Sequence, residues 1–169
     1  SNALAALLAA RHVGVPLSRG LTTLSRFESV KRRLERRGCV AGVTVYDDFA
    51  HHPTAIATTI AGLRRKAGKE RILAVVEPRS NTMKLGVMKE SLPLSLAGAD
   101  LVFCYASQLG WDVREALAPL GDKAVVEEDL DQLVRQVVGA ARAGDQIVVM
   151  SNGSFGGIHD KLLRFLGQT

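Results

Sequence analysis

"DQIVVMSNGSFGGIHDKLLRFL", residues 145–166, holds a strand, a turn and a helix in one stretch, and its reading decides the fold. The run Ile147 to Met150 is apolar at every position rather than at alternate ones, so a strand here is covered on both faces, as strands of parallel sheets are. A glycine-rich turn follows and opens onto a helical stretch near 156–166. Working outward, the same order repeats. Strands are expected at "VTVYDD" (43–48), "RILAVVE" (71–77), "DLVFCY" (100–105) and "KAVVEE" (123–128), with helices near 53–67, 84–97, 111–119 and 129–142 between them. Helical crossovers between parallel strands run right-handed. The expected fold is α/β: a Rossmann-like, doubly wound, mainly parallel sheet of about six strands with helices on both faces. Residues 31–40, "KRRLERRGCV", turn back before "VTVYDD" and supply one antiparallel edge strand.

At 169 residues the chain has room for one domain of ordinary size, with 47% hydrophobic and only 5% aromatic residues favouring small-residue α/β packing. Residues 3–13 and "LSRGLTTLSRF" (17–27) read as two short helices parted by Pro16, too little to form a domain alone. Ser1-Asn2-Ala3 reads as the scar of a cleaved tag. No run is long and apolar enough to span a bilayer. Cys39 and Cys104 lack metal-ligand spacing and suit reduced, buried thiols of a cytoplasmic protein. The net charge of +5 is local, with arginines and lysines gathered in 26–37 and 64–71. Phe27 is the single aromatic within those stretches and no series of stacking platforms interleaves them, which argues against nucleic acid and for solvated faces plus one or two arginines in a small-ligand site.

Ligands of such a sheet gather at the carboxyl ends of its strands. Three polar loops fall there: Asp47-Asp48 leading to His51-His52-Pro53-Thr54, then Glu77-Pro78-Arg79-Ser80-Asn81, then the glycine turn from Ser151 to Gly157. Each has a plain alternative. Pro53 suits the first turn of a helix, so "HHPT" is also a helix start. A zinc site is disfavoured because neighbouring histidines point apart and HExxH spacing is absent. The glycine turn is either a demand for positive φ or a backbone cradle for an anion, and it is not GxGxxG. Arg79 is either a surface ion-pair partner or a planar fork for a carboxylate or phosphate.

Three segments, "VTVYDDFAHHPTAI" (43–56), "EPRSNTMKLGVMKESLP" (77–93) and "MSNGSFGGIHDKLL" (150–163), together resemble the C-terminal domain of the Mur ligase family, a resemblance running from about Leu4 to the end. It implies an ATP-dependent carbon–nitrogen ligase of peptidoglycan recycling. In that reaction UDP-N-acetylmuramate is joined to the tripeptide L-Ala-γ-D-Glu-meso-diaminopimelate through an acyl phosphate. The alternatives are the L-alanine-adding relative and a stand-alone Rossmann-type nucleotide module. By this resemblance Arg33 and Asp48 contact the nucleotide, and His51 and His52 lie beside the reacting amine. Arg79, Ser80 and Asn81 take the peptide's carboxylate, with Ser151, Asn152 and Gly153 as a further wall. No residue here is expected to ligate metal. Residues 1–30 resemble the last helices of a central ATPase domain and 31–169 the C-terminal domain. No GxxGK[ST] loop occurs, so ATP and magnesium are expected to be held mainly by the central domain, and nothing is expected to bind tightly to this piece alone. The implied partners are the small-molecule substrates and the N-terminal and central domains, not nucleic acid or membrane.

Overall fold

A computed structural model describes residues 2–27, 30–107 and 109–168, the side chains of Thr82 and Lys84 excepted. The chain divides into two units, residues 1–30 and 31–169. In the first, α1 (Asn2–His12) and α2 (Leu17–Ser25) are joined through Gly14 at φ +88° and Pro16. Neither helix has a buried residue, and Leu4, Leu8, Leu17 and Leu21 are all exposed.

In the second unit the described residues form a six-stranded sheet: β1 (Glu35–Val40), β2 (Val43–Asp48), β3 (Ile72–Val76), β4 (Leu101–Tyr105), β5 (Ala124–Glu127) and β6 (Gln146–Met150). Their order is β1-β2-β6-β3-β4-β5. Only β1 runs antiparallel to its neighbour, and the remaining pairs are parallel. The doubly wound, mainly parallel sheet with one antiparallel edge strand is therefore borne out. Alternate residues of each strand enter opposite layers. Tyr46, Ala74, Val76, Val148 and Met150 pack in one layer with α3 (Pro53–Ala67) and Leu92 and Leu96 of α5 (Leu92–Leu96). Val45, Leu73, Val75, Phe103 and Val149 pack in the other with Leu133, Val134 and Val137 of α7 (Leu130–Ala140) and Ile158, Leu162 and Leu166 of α8 (Ile158–Leu166).

Register is what positions the site. Met150 pairs with Asp48 on one side and Val76 on the other, so β2, β6 and β3 end in a row. Their three following loops are therefore side by side.

The structure departs from the expected elements in several places. The helix expected at 84–97 is broken into α4 (Asn81–Lys84) and α5. Gly86 turns left-handed at φ +72°, and an added Cβ there would sit 3.2 Å from the Trp111 ring, whose Nε1 donates to Met83 O at 2.7 Å. The helix expected at 111–119 is α6 (Val113–Leu117) followed by a 3-10 turn over Ala118–Lys123, with Asp112 capping the start through the Arg114 and Glu115 N–H groups. The edge strand begins only at Glu35, because Arg32 (φ +57°) and Leu34 (φ +46°) coil residues 31–34 into a turn. Cys104 is buried, which pushes its thiol pKa up to about 12, whereas Cys39 is exposed on the edge strand.

Candidate active site

Successive strand residues face opposite ways, and the consecutive aspartates at the end of β2 obey this. Asp48 faces the α3 layer, where its carboxylate closes the surrounding loops. It accepts from Leu34 N at 2.8 Å, Ala50 N at 2.8 Å and Thr59 Oγ1 at 3.1 Å, and the residue is 3% exposed. Both oxygens are thus engaged by the protein.

Asp47 faces the α8 layer and is equally buried. Arg32 Nε lies 3.3 Å from one of its oxygens, Arg37 Nη1 3.8 Å from the same oxygen, and His159 Nε2 3.4 Å from the other. Burial lowers the pKa of His159 from its ordinary value, although Asp47 pulls the other way; Arg37 and Arg32 add to the lowering. The neutral imidazole is therefore favoured at this position.

Arg32 also reaches the glycine turn, its Nη2 donating to Ser151 O at 2.6 Å and Gly153 O at 2.9 Å. The turn is tied to the neighbouring loop as well. Ser151 Oγ donates to Glu77 Oε2 at 2.5 Å and accepts from Gly153 N at 2.9 Å. Arg79 lies directly against Gly153: an added Cβ would fall 2.2 Å from Arg79 Nη1, so a side chain here would push the guanidinium aside. Asn152 Oδ1 is buried and has no donor among the described residues. Gly156 (φ +55°) and Gly157 (φ +70°) then lead into α8.

The other expected residues are distributed around these loops. Arg33 is exposed, its guanidinium 5.8 Å from the centroid of the same Phe49 ring that Arg32 approaches at 5.0 Å. His51 is half-buried, with Nδ1 2.8 Å from Phe49 O and its ring edge-on to Phe49 at 5.2 Å. A carbonyl only accepts, so Nδ1 carries the proton in the neutral ring and Nε2 keeps its lone pair. His51 borders a small enclosed packing gap, too tight for a water, that Ala50, Glu77, Pro78 and Met83 also line. His52 is exposed at the N-cap of α3 and makes no capping hydrogen bond, with Pro53 as the first helical residue. Ser80 caps α4 through Met83 N at 3.4 Å, and Asn81 is exposed. The sequence reading placed Glu77 in the second polar loop but passed over Arg32 and Thr59 as working parts of this region. The signal available for Thr59 and Arg32 was the pair of adjacent aspartates, which need partners on two different faces.

A wider groove of about 300 Å³ lies elsewhere, between Lys89, Glu90 and Pro93 and the α6 segment from Asp112 to Pro119. None of the three polar loops lines it. Among the described residues no cluster of three or more His, Cys, Asp or Glu side chains is arranged to hold a metal ion. No helix among the described residues is long and apolar enough to cross a membrane.

Residues 32–153 match the model of the Mur ligase family's glutamate ligase domain. The chain is 52% identical over 164 residues to the UDP-N-acetylmuramate–L-alanyl-γ-D-glutamyl-meso-2,6-diaminoheptandioate ligase of Escherichia coli K12, covering 96% of this chain and 36% of that protein. It superposes on the crystal structure of a murein peptide ligase from Psychrobacter arcticus 273-4 with a TM-score of 0.77 at 41% identity, over 99% of this chain and 36% of that one. A crystallised domain assigned to the same kind of ligase in Haemophilus ducreyi 35000HP gives a TM-score of 0.70 at 51% identity, covering 79% of this chain and 99% of the domain. The chain thus spans about a third of the length of the curated relatives it matches.

Proposed function

Because the chain belongs to the Mur ligase family, its residues 32–153 matching the glutamate ligase domain, we propose that it is the C-terminal domain of an ATP-dependent ligase joining UDP-N-acetylmuramate to L-Ala-γ-D-Glu-meso-diaminopimelate. The setting is the recycling of peptidoglycan in the cytoplasm. Residues 1–30 are, on this reading, the last helices of the central ATPase domain. The observation that carries the proposal is the register that ends β2, β6 and β3 together, bringing the Asp48, Ser151 and Arg79 loops to one edge of the sheet.

ATP, when bound, supplies the phosphoryl group that activates the lactyl carboxylate of the muramyl sugar. This domain's residues then act on what surrounds that carboxyl. Arg33, exposed beside Phe49, provides a fixed positive fork toward the nucleotide phosphates. Asp48 contributes by holding Leu34 N, and with it the turn that carries Arg33. Arg79, braced on Gly153, receives a carboxylate of the incoming peptide, with Ser80 and Asn81 beside it. Ser151, Asn152 and Gly153 form the further wall of the peptide's site beside them. As the amine attacks the acyl carbon and the tetrahedral intermediate expels phosphate, the nitrogen must lose a proton. His51 Nε2, the ring nitrogen left basic by the Phe49 carbonyl, accepts it. Magnesium is assigned to no residue of this chain.

The test is ligation by the full-length protein, with ATP, UDP-N-acetylmuramate and either the tripeptide or L-alanine. The expected result is the tripeptide adduct with the full-length protein and no turnover with the 169-residue chain alone. Adduct formed with L-alanine in preference, or no adduct with either amine, overturns the substrate assignment, and turnover by the chain alone overturns the division of labour.

A further inference from the structure

Arg32 occupies a conformation that L side chains rarely adopt, at φ +57°. Glycine is the residue such a position favours. What holds an arginine there is visible in its contacts. Its N–H donates to Glu35 Oε2 at 2.7 Å and its carbonyl accepts from Phe49 N at 2.9 Å, which fixes the backbone on β1 and on the loop after β2. The guanidinium stacks 5.0 Å from the Phe49 ring centroid, pairs with the buried Asp47, and donates twice into the glycine turn at Ser151 O and Gly153 O. Gly153 is the residue against which Arg79 rests. One side chain therefore ties the turn that carries Arg33 to the turn that braces Arg79.

We propose that Arg32 is a positioning residue that couples the nucleotide side of the site to the peptide side, by clamping the glycine turn at Ser151 and Gly153 to the 31–34 turn. The inference rests on the ligase reading for its kinetic consequence, but not for the clamp itself. The planar fork is essential to it: two backbone carbonyls and a carboxylate are met from one rigid group, which the single ammonium of lysine cannot reproduce.

The test compares wild type, Arg32→Gly and Arg32→Lys in the full-length protein, with ATP and tripeptide varied separately. Arg32→Gly suits the left-handed φ but leaves the buried Asp47 to Arg37 and His159 alone, so its denaturation midpoint should fall, and its kinetics are read at a temperature where it remains folded. Its KM for both ATP and peptide should rise by about tenfold, as expected when reacting groups are misplaced by a fraction of an ångström to an ångström. A loss of folded enzyme behaves differently, lowering apparent kcat and leaving both KM values where they were. Arg32→Lys should recover only part of the two KM values. Either KM within about twofold of wild type in Arg32→Gly, while the wild type ligates, overturns the coupling. If the wild type does not ligate, the ligase reading fails by itself, and amide hydrogen exchange in the 169-residue chain decides the clamp. Faster exchange at residues 152–157 in Arg32→Gly, with the β3 and β6 amides unchanged, supports it, and unaltered exchange at 152–157 overturns it. Should Arg32→Gly fail to fold, Arg32→Lys carries the same measurements with the same decision.

Discussion

Asp48→Ala separates two roles that a carboxylate at this position can have. If Asp48 chiefly touches the nucleotide, the substitution leaves the domain's stability alone. If it chiefly closes its own loops, stability falls first. The structure favours the second contribution being large, because three donors lose their acceptor at a site 3% exposed. Hydrogen bonds to a charged group contribute about 1.5–3 kcal/mol each, and a buried donor left without a partner costs about 1–3 kcal/mol. Ala50 N is buried and loses about 2 kcal/mol, whereas Leu34 and Thr59 are half-buried and water can replace part of what they lose, about 1 kcal/mol each, making about 4 kcal/mol in all. For a unit the size of residues 31–169, each kcal/mol moves the melting midpoint by about 3–5 °C, so a fall of about 12–20 °C is expected. Asp48→Asn keeps one acceptor oxygen but turns an amide N–H₂ toward another donor, and should fall roughly halfway between. Thermal and urea denaturation of the 169-residue chain, followed by circular dichroism, measures this; a crystallised relative consisting of this domain alone shows that such a piece folds. The KM for ATP of the full-length variants is read in parallel. A midpoint within about 1 kcal/mol of wild type together with a large rise in the ATP KM would refute the loop-closing reasoning.

Three further outcomes follow from the same geometry. His51→Ala in the full-length protein should lower kcat by about a hundredfold or more, as loss of a general base does, while His52→Ala stays within a few-fold of wild type; equal losses in both would remove the distinction drawn from the Phe49 carbonyl. Gly153→Ala puts a methyl group 2.2 Å from Arg79 Nη1 and must displace that guanidinium, so the peptide KM should rise by about tenfold with the ATP KM changed less; an unchanged peptide KM would detach Arg79 from peptide binding. His159 has a lowered pKa in the fold, chiefly through burial. The stabilisation linked to its neutral form is therefore complete above the unfolded imidazole value of about 6.5 and is lost as pH falls from there through the lowered folded value. The urea midpoint of wild type should drop more between pH 7.5 and 5.5 than that of His159→Gln, and parallel drops would show that other groups carry the acid sensitivity.

How far the sequence announces all this depends on whether a feature is set by neighbours along the chain or by contacts across it. The strands were legible because Ile72 to Val76 and Gln146 to Met150 are buried throughout, and burial on both faces writes itself as an unbroken apolar run. The break in 84–97 was not, since Gly86 is turned by a tryptophan 25 positions on, at Trp111, and no local periodicity reports that. Asp48 was legible as a polar residue at the right end of a strand, but one of its partners, Leu34 N, lies 14 residues upstream, where no local pattern announces it. The adjacent aspartates carry a firmer lesson. A strand's period of two sends Asp47 and Asp48 to opposite faces, so they cannot serve one ligand together, and each must organise a different wall. Asp48 fastens the turn that bears Arg33, while Asp47 and Arg32 fasten the glycine turn on which Arg79 rests. Both walls are built largely from main-chain groups held by buried side chains. Substitutions at the holding residues should therefore act through the placement of Arg33 and Arg79, and their effects should be non-additive wherever they share the Gly153 carbonyl.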